Sequence, residues 1–295
     1  MTNVTQANFL LIDGVLRPDA IVQLYQRGEP LEIEPLYIGT RWKELHDLGP
    51  ILVKLPSNTP LLSEWQQNHL TQADSCPLFS RASLSTVADH LRHFICPPDF
   101  HGNTGLLRFA DPLVMYHWLT SYGPEQLSQV LSPVDTIWVN TPVHTWQSSG
   151  DTPVSSFIRP HSTDVRDKNF AILGENQISA LELAYRWQFK ERLYAWLNTR
   201  DPQTFSLLDN DQTERWLNQV LDSGSAWGLV SERGLVTWAE TCVDWGRDFA
   251  TRLDSPYQDW LRLAPEQGRL APELRIEALD DYRQQTLEAK DTANG

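Results

Sequence analysis

The sequence predicts an α/β (or α+β) N-terminal lobe with a mixed sheet flanked by helices, followed by an all-α C-terminal lobe. Two observations lead to this fold class. Short apolar strands alternate with capped helices in the first half of the chain, and only helical spacing of apolar residues follows Gly174. Prolines, a glycine and paired serines fill the stretch between the halves. We therefore predict domains at 1–141 and 174–295, joined by a linker or long surface loop over 142–173.

Turn and cap residues delimit the elements of the first lobe. The pair Asp13-Gly14 closes the first strand, Thr40 caps the second helix, and Gly49-Pro50 ends that helix, because glycine and proline stop helices. Apolar runs bounded by such residues predict the strands. These strands cover residues 9–12, 36–38, 51–55, 77–80, 105–110 and 136–139.

Helices in both lobes are assigned from caps and from apolar residues spaced three or four positions apart. Asp111 followed by Pro112 is an N-cap residue with proline at the first helical position, and it predicts a helix with Met115 and Trp118 on its apolar stripe. The other first-lobe helices are predicted over 18–25, 41–48, 60–70, 86–95 and 124–131. Those of the second lobe are predicted over 177–198, 212–221, 232–245, 256–263 and 272–289.

One helix of the second lobe is apolar on two faces. A core stripe is predicted from Ile178, Leu181, Tyr185, Phe189, Leu193 and Trp196. Leu183, Trp187 and Tyr194 fall on the opposite side. Either this helix is buried on both sides, or these three residues bind a partner, because exposed aromatic patches mark interaction sites.

An acidic row is predicted on the helix over 232–245 and just beyond it. Glu240, Asp244 and Asp248 repeat every four residues, so they share one helix face, where like charges repel. Arg247 and Arg252 lie nearby in the sequence. The row is either a solvated acidic face or a dock for a basic segment of another protein.

Composition and charge exclude some classes of partner. The formal net charge is −14 and is spread along the chain. Such a field disfavours nucleic acid and anionic membranes and attracts basic partners. No signal-peptide pattern or membrane-spanning apolar run is present, and three distant cysteines predict no disulfide framework. We expect a cytoplasmic protein with neither a nucleic-acid partner nor a membrane partner.

The residues do not form a recognisable catalytic or metal-binding pattern. No nucleophile elbow, phosphate-binding loop, dinucleotide fingerprint or zinc-protease motif occurs in the sequence. His90, His93 and Cys96 are spaced three apart, but a second pair of ligands is missing. Arg108 and Asp111 are interpreted as a structural pair at a strand-to-helix corner. We therefore predict no catalytic residue, no metal, no cofactor and no enzymatic activity.

Four short motifs resemble signatures of the effector chaperones, or adaptors, of the bacterial type VI secretion system. The motifs are Leu10-Leu-Ile-Asp-Gly14, Glu34-Pro-Leu-Tyr-Ile-Gly-Thr40, Asp47-Leu-Gly-Pro-Ile-Leu-Val53 and Arg108-Phe-Ala-Asp-Pro112. The residues expected to carry them structurally are Asp13, Gly14, Gly39, Thr40, Gly49, Pro50, Arg108, Asp111 and Pro112. Ala110 departs from the family, which more often has tyrosine there.

This resemblance implies a function that composition does not reveal. Proteins of this family bind one cognate toxin in the cytoplasm, keep it soluble and help to load it onto the VgrG spike or a PAAR-type tip, without being enzymes. Two other interpretations of the residues stay open. An immunity protein that inhibits a toxin would have the same acidity and aromatic faces, and a hydrolase would have an active site between the lobes.

Overall fold

The computed structural model describes residues 4–57, 59–67, 69–147, 153–160, 167 and 169–294. The chain divides into two compact units. The first comprises Met1–His144 with Ser148–Arg186, and the second comprises Thr145–Gln147 with Trp187–Gly295. The dividing point lies within a long helix, whereas the sequence predicts a boundary just before that helix. The predicted loop over 142–173 falls partly outside the described residues.

The first unit is built on a six-stranded sheet with the order β2-β3-β1-β4-β5-β6. The strands are β1 (Phe9–Asp13), β2 (Glu32–Pro35), β3 (Pro50–Lys54), β4 (Ser75–Ser80), β5 (Val134–Asn140) and β6 (Val154–Ile158). Every pair of neighbouring strands is antiparallel. The predicted fold class is confirmed, but the sheet is not the mixed sheet that we expected.

Both faces of this sheet are buried. Along the central strand β1, Phe9 and Leu11 pack into one apolar cluster, whereas Leu10 and Ile12 pack into another. Successive side chains of a strand point to opposite faces, so the two clusters lie on opposite sides of the sheet. The helices that cover these faces are α1 (Ala20–Gln26), α2 (Pro60–Gln67), α3 (His69–Asp74), α4 (Leu84–Arg92), α5 (Pro112–Thr120) and α6 (Pro124–Leu131).

Two predicted strands of the first unit are wrong, and two strands, β2 and β6, were missed. Residues 36–38 belong to a turn in which the Thr40 N–H donates to the Tyr37 carbonyl, and the strand β2 ends just before it. Residues 105–110 are irregular, although the Leu107 N–H donates to the Ile95 carbonyl. β6 lies inside the predicted loop and completes the sheet by pairing with β5.

The second unit contains helices in its described residues, as predicted. The helices are α7 (Glu175–Arg200), which begins in the first unit, α8 (Asn210–Trp227), α9 (Glu232–Trp245), α10 (Pro256–Leu263) and α11 (Pro272–Asn294). Aromatic side chains dominate its core: Trp238 lies 4.6 Å from Phe249 between ring centroids, and Trp245, Tyr257 and Trp260 join the same cluster. Much of the tryptophan content therefore serves as core volume.

Candidate partner-binding site

The four sequence motifs meet at one corner of the first unit. The Gly14 N–H donates to the Gly49 carbonyl at 3.1 Å, which joins the first motif to the third. The Leu36 N–H donates to the Pro50 carbonyl at 2.8 Å, which joins the second to the third. Arg108 lies 95 positions after Asp13 and donates a hydrogen bond to the Asp13 carboxylate, which joins the fourth motif to the first. The motif residues are thus a single structural assembly.

Asp13 organises the turn after β1. Its Oδ1 accepts hydrogen bonds from the N–H groups of Val15 (2.9 Å) and Leu16 (3.0 Å), while its Oδ2 accepts from Arg108 Nη2 (3.0 Å). The next position must be glycine, because a Cβ on Gly14 would lie 2.2 Å from the Asp47 carbonyl oxygen. The Asp13-Gly14 pair therefore holds the first and third motifs together.

The second motif is a compact turn rather than the start of a helix. Gly39 has a φ of +83°, a conformation that favours glycine. Thr40 Oγ1 accepts from the Trp42 N–H at 3.1 Å, as expected of a cap, but only a short 3₁₀ turn, Lys43–Leu45, follows. The predicted helix over 41–48 is therefore wrong. A Cβ on Gly49 would lie 2.6 Å from the Tyr37 ring, so this glycine lets the ring pack closely.

Arg108 lies near two buried carboxylates. Asp111 is 2% exposed, and its Oδ1 accepts from the Leu113 N–H at 2.9 Å, which confirms it as the N-cap of α5 with Pro112 following. Its Oδ2 lies 3.6 Å from Arg108 Nη2. Burial raises the pKa of Asp111, although the Arg108 charge opposes this shift. With Asp13, the corner holds one cation and two buried anions.

An apolar pocket of about 160 Å³ opens beside this charge cluster. Its apolar lining consists of Val15, Tyr37, Trp42, Leu45, Leu48, Pro50 and Leu106. Asp13 and Arg108 form the charged part of the wall. Four of the lining side chains, Val15, Leu45, Leu48 and Leu106, are between 45% and 49% exposed. Clustered apolar side chains at the mouth of a pocket are typical of interaction sites.

This apolar rim was missed by the sequence analysis. Leu45 and Leu48 are three residues apart and fall in the predicted helix over 41–48, so their spacing was compatible with a buried stripe. Val15 follows the predicted turn, and Leu106 was assigned to a predicted strand. None of these local patterns distinguishes a half-exposed leucine from a core leucine. The rim exists because distant turns bring these side chains together.

The predicted partner-binding residues of α7 differ in exposure. Leu183 is 57% exposed. Trp187 is half-buried. Tyr194 packs against the second core, with ring centroids 4.8 Å from Trp146 and 4.9 Å from Phe205. Tyr194 thus has an internal packing role, while partner binding by all three residues stays a prediction.

The predicted core stripe of α7 is partly wrong. Phe189 and Leu193 are buried as expected, but Tyr185 and Trp196 are 58% and 54% exposed. The buried face continues instead through small residues such as Ala184. Size and polarity along one helix do not show which face the rest of the chain covers.

The acidic row on α9 is neither a wholly solvated face nor an open dock. Arg283 of α11 is 2% exposed and donates to Glu240 Oε2 at 2.7 Å and to Asp244 Oδ2 at 2.6 Å. Asp248 is exposed and pairs with Arg252 at 3.3 Å. The first two carboxylates therefore stabilise the second unit by compensating a buried cation. Partner binding by any of the three stays a prediction.

A wider depression of about 550 Å³ lies between α7 and α9. Trp196 and Glu240 line it, and Trp196 Nε1 donates to Glu240 Oε1 at 2.8 Å. Arg192 and Glu232, which also line it, form an ion pair with each other. These polar groups of the depression therefore already bond to one another.

Metal binding finds no support among the residues that the structure describes. They contain no cluster of three or more metal-ligating side chains. His90 is buried, and its Nε2 lies 2.8 Å from the Val130 carbonyl oxygen, while Cys96 Sγ accepts from Trp42 Nε1 at 3.4 Å. In the same part of the chain, no helix is both long enough and apolar enough to cross a membrane.

Comparison with known proteins places the corner within a described family. Residues 8–129 match the family model described as "Domain of unknown function (DUF4123)". This part of the chain is similar to that family, which is known as an adaptor or chaperone domain of type VI secretion effectors. The resemblance inferred from the four motifs is confirmed.

A curated relative extends the similarity beyond this domain. The chain is 24% identical over 302 residues to "Accessory protein VasW" of Vibrio cholerae serotype O1 (El Tor Inaba), covering 97% of this chain and 91% of that protein. No solved structure is significantly similar. Together the two matches support an accessory or adaptor role in type VI secretion.

Proposed function

We propose that this protein is a cytoplasmic adaptor that binds one cognate type VI secretion toxin, stabilises it and helps to load it onto a VgrG or PAAR spike protein. The single observation that carries this proposal is the half-exposed apolar pocket at the corner where the four motifs meet. A surface of this kind can hold another polypeptide. The similarity to an accessory protein over nearly the whole chain supports the same function.

We propose further that the protein is not an enzyme. The corner beside the pocket contains ionisable groups, but they are committed to structure. Asp13 holds a turn, Asp111 caps α5, and Arg108 balances their charges. A catalytic site would need an acid, base or nucleophile free to reach a reacting atom.

Affinity purification of the tagged protein from its native host tests the proposed function. We expect one toxin to co-elute, identified by mass spectrometry, and we expect its cellular level and secretion to fall when the gene for this protein is deleted. Co-expression separates an adaptor from an immunity protein, because an immunity protein blocks the toxin's activity. Loss of toxin activity on binding, with normal secretion in the deletion strain, would contradict an adaptor function.

A further inference from the structure

We propose that the pocket beside Arg108 anchors the toxin by accepting one large apolar side chain, and that the toxin segment around this side chain brings no carboxylate to Arg108. This inference rests on the proposed function and names the chemistry of its contact. The size of the pocket, its charges and the exposure of its rim each restrict what can bind there.

The pocket has the size of one side chain. Apolar cavities of about 150 Å³ accept a benzene ring, and the volume here is about 160 Å³. A phenylalanine, leucine or methionine would fill it, with Tyr37 and Trp42 as aromatic walls.

The charges of the wall disfavour an acidic segment. Arg108 Nη2 donates to Asp13 at 3.0 Å and lies 3.6 Å from Asp111, and both carboxylates are at most 5% exposed. A third carboxylate beside one guanidinium would meet two negative charges in a region of low dielectric. The Arg108 side chain is still 36% exposed. It can therefore donate to an uncharged acceptor, such as a main-chain carbonyl of the bound segment.

The occupant is a toxin rather than a second copy of this chain. Two copies, each with a net charge of −14, would repel one another. A toxin that needs an adaptor gains most from this pocket, because apolar side chains that it cannot bury itself favour aggregation.

Two pocket variants and one matched control test the proposal. Leu48→Asp and Leu106→Asp place a charge on the rim, whereas Val22→Asp places it on α1 at a similar exposure of 53%. All three positions are exposed, so we expect similar unfolding midpoints. The probe is the purified toxin that co-elutes with the wild-type protein, measured by calorimetry. We expect Kd to rise about tenfold or more for both pocket variants, and less than twofold for the control.

Photo-crosslinking identifies the bound segment without relying on a destabilising change. A benzophenone amino acid at position 106 is expected to crosslink a toxin peptide that contains a large apolar residue with no Asp or Glu beside it. Crosslinks to the spike, to a second copy or to an acidic toxin peptide would overturn the proposal. So would unchanged toxin binding by both pocket variants. If the wild-type protein itself retains no toxin, the proposed function is contradicted. This result differs from a failure of the pocket proposal, in which the wild-type protein and both pocket variants retain the toxin equally.

Discussion

Replacing Arg283 should reveal how strongly the acidic row supports the second unit. Its guanidinium is buried and donates to Glu240 at 2.7 Å and Asp244 at 2.6 Å on α9. It also bonds Asp280, one turn earlier on α11, at 2.5 Å. The two α9 carboxylates are 12% and 13% exposed. Arg283→Met keeps an apolar stem but removes the positive charge that these carboxylates share.

The expected cost follows from the charges that would be left behind. Removing one partner of a buried ion pair typically costs about 3–5 kcal/mol, because the other charge is no longer compensated. Here the remaining carboxylates keep other donors: Arg200 bonds Asp244 at 2.7 Å, and Trp196 Nε1 bonds Glu240 at 2.8 Å. We therefore expect Arg283→Met to lower the free energy of unfolding by about 3 kcal/mol, at the lower end of that range.

Urea unfolding followed by tryptophan fluorescence measures this cost, and both units contribute tryptophans to the signal. Arg233→Met is the matched control. Arg233 is 82% exposed, and its ion pair with Glu277 is long at 3.7 Å. Removing its charge should therefore lower the free energy of unfolding by less than about 1 kcal/mol.

Two outcomes would refute this reasoning about Arg283. One is a loss no larger than that of Arg233→Met. The other concerns a triple variant that adds Glu240→Gln and Asp244→Asn to Arg283→Met. Because uncompensated charge is the stated cause, neutralising both carboxylates should restore part of the stability. No recovery would mean that packing, not charge, makes Arg283 important.

Three further predictions concern caps and a turn. Asp111→Ala should lower the free energy of unfolding by about 1 kcal/mol, whereas Asp111→Asn keeps the acceptor for the Leu113 N–H and should cost less. Burial raises the folded-state pKa of Asp111. The stability of the wild type relative to the alanine variant should therefore be largest at low pH and decline as pH rises through that pKa. Unfolding at several pH values measures this difference. Glu273 accepts hydrogen bonds from the main-chain N–H groups of Ser231 and Val230, and these bonds lower its pKa. The free energy of unfolding of the wild type should therefore exceed that of Glu273→Gln at pH 7, and the difference should vanish as pH falls through the folded-state pKa. A difference that persists in strong acid would contradict this prediction. Gly14→Ala should destabilise the first unit by more than Gly105→Ala, because a Cβ built on Gly105 meets no non-neighbouring atom within 4 Å. Equal melting temperatures of the two variants would show that the turn at Gly14 relaxes at little cost.

Local signals in the sequence were sufficient where a few neighbouring residues decide the structure. The bounds of α9 and α10 match the predicted 232–245 and 256–263, since each helix begins after a serine cap whose Oγ accepts a main-chain N–H. Asp111 was identified as an N-cap for the same reason. The four motifs also identified the family of the N-terminal domain, which the comparison confirmed.

Other features depended on residues far apart in the chain. The strand β6 has no strong alternation of its own and forms because β5 offers it an edge. The interpretation of Glu240 and Asp244 as surface charges failed because Arg283, 43 and 39 positions away, is buried against them. A pattern within one helix does not encode the partner that another helix brings.

The sequence by itself determined the caps of α5, α9 and α10 and the turn at Asp13-Gly14, because these depend on neighbours within a few residues. Its four motifs also indicated the similarity to an adaptor family. Tertiary structure decided that Asp13 and Arg108, 95 positions apart, pair at one corner, and that four leucine and valine side chains surround an open pocket there. Burial and charge balance are properties of the folded surface, and only folding brings the four motifs together to produce them.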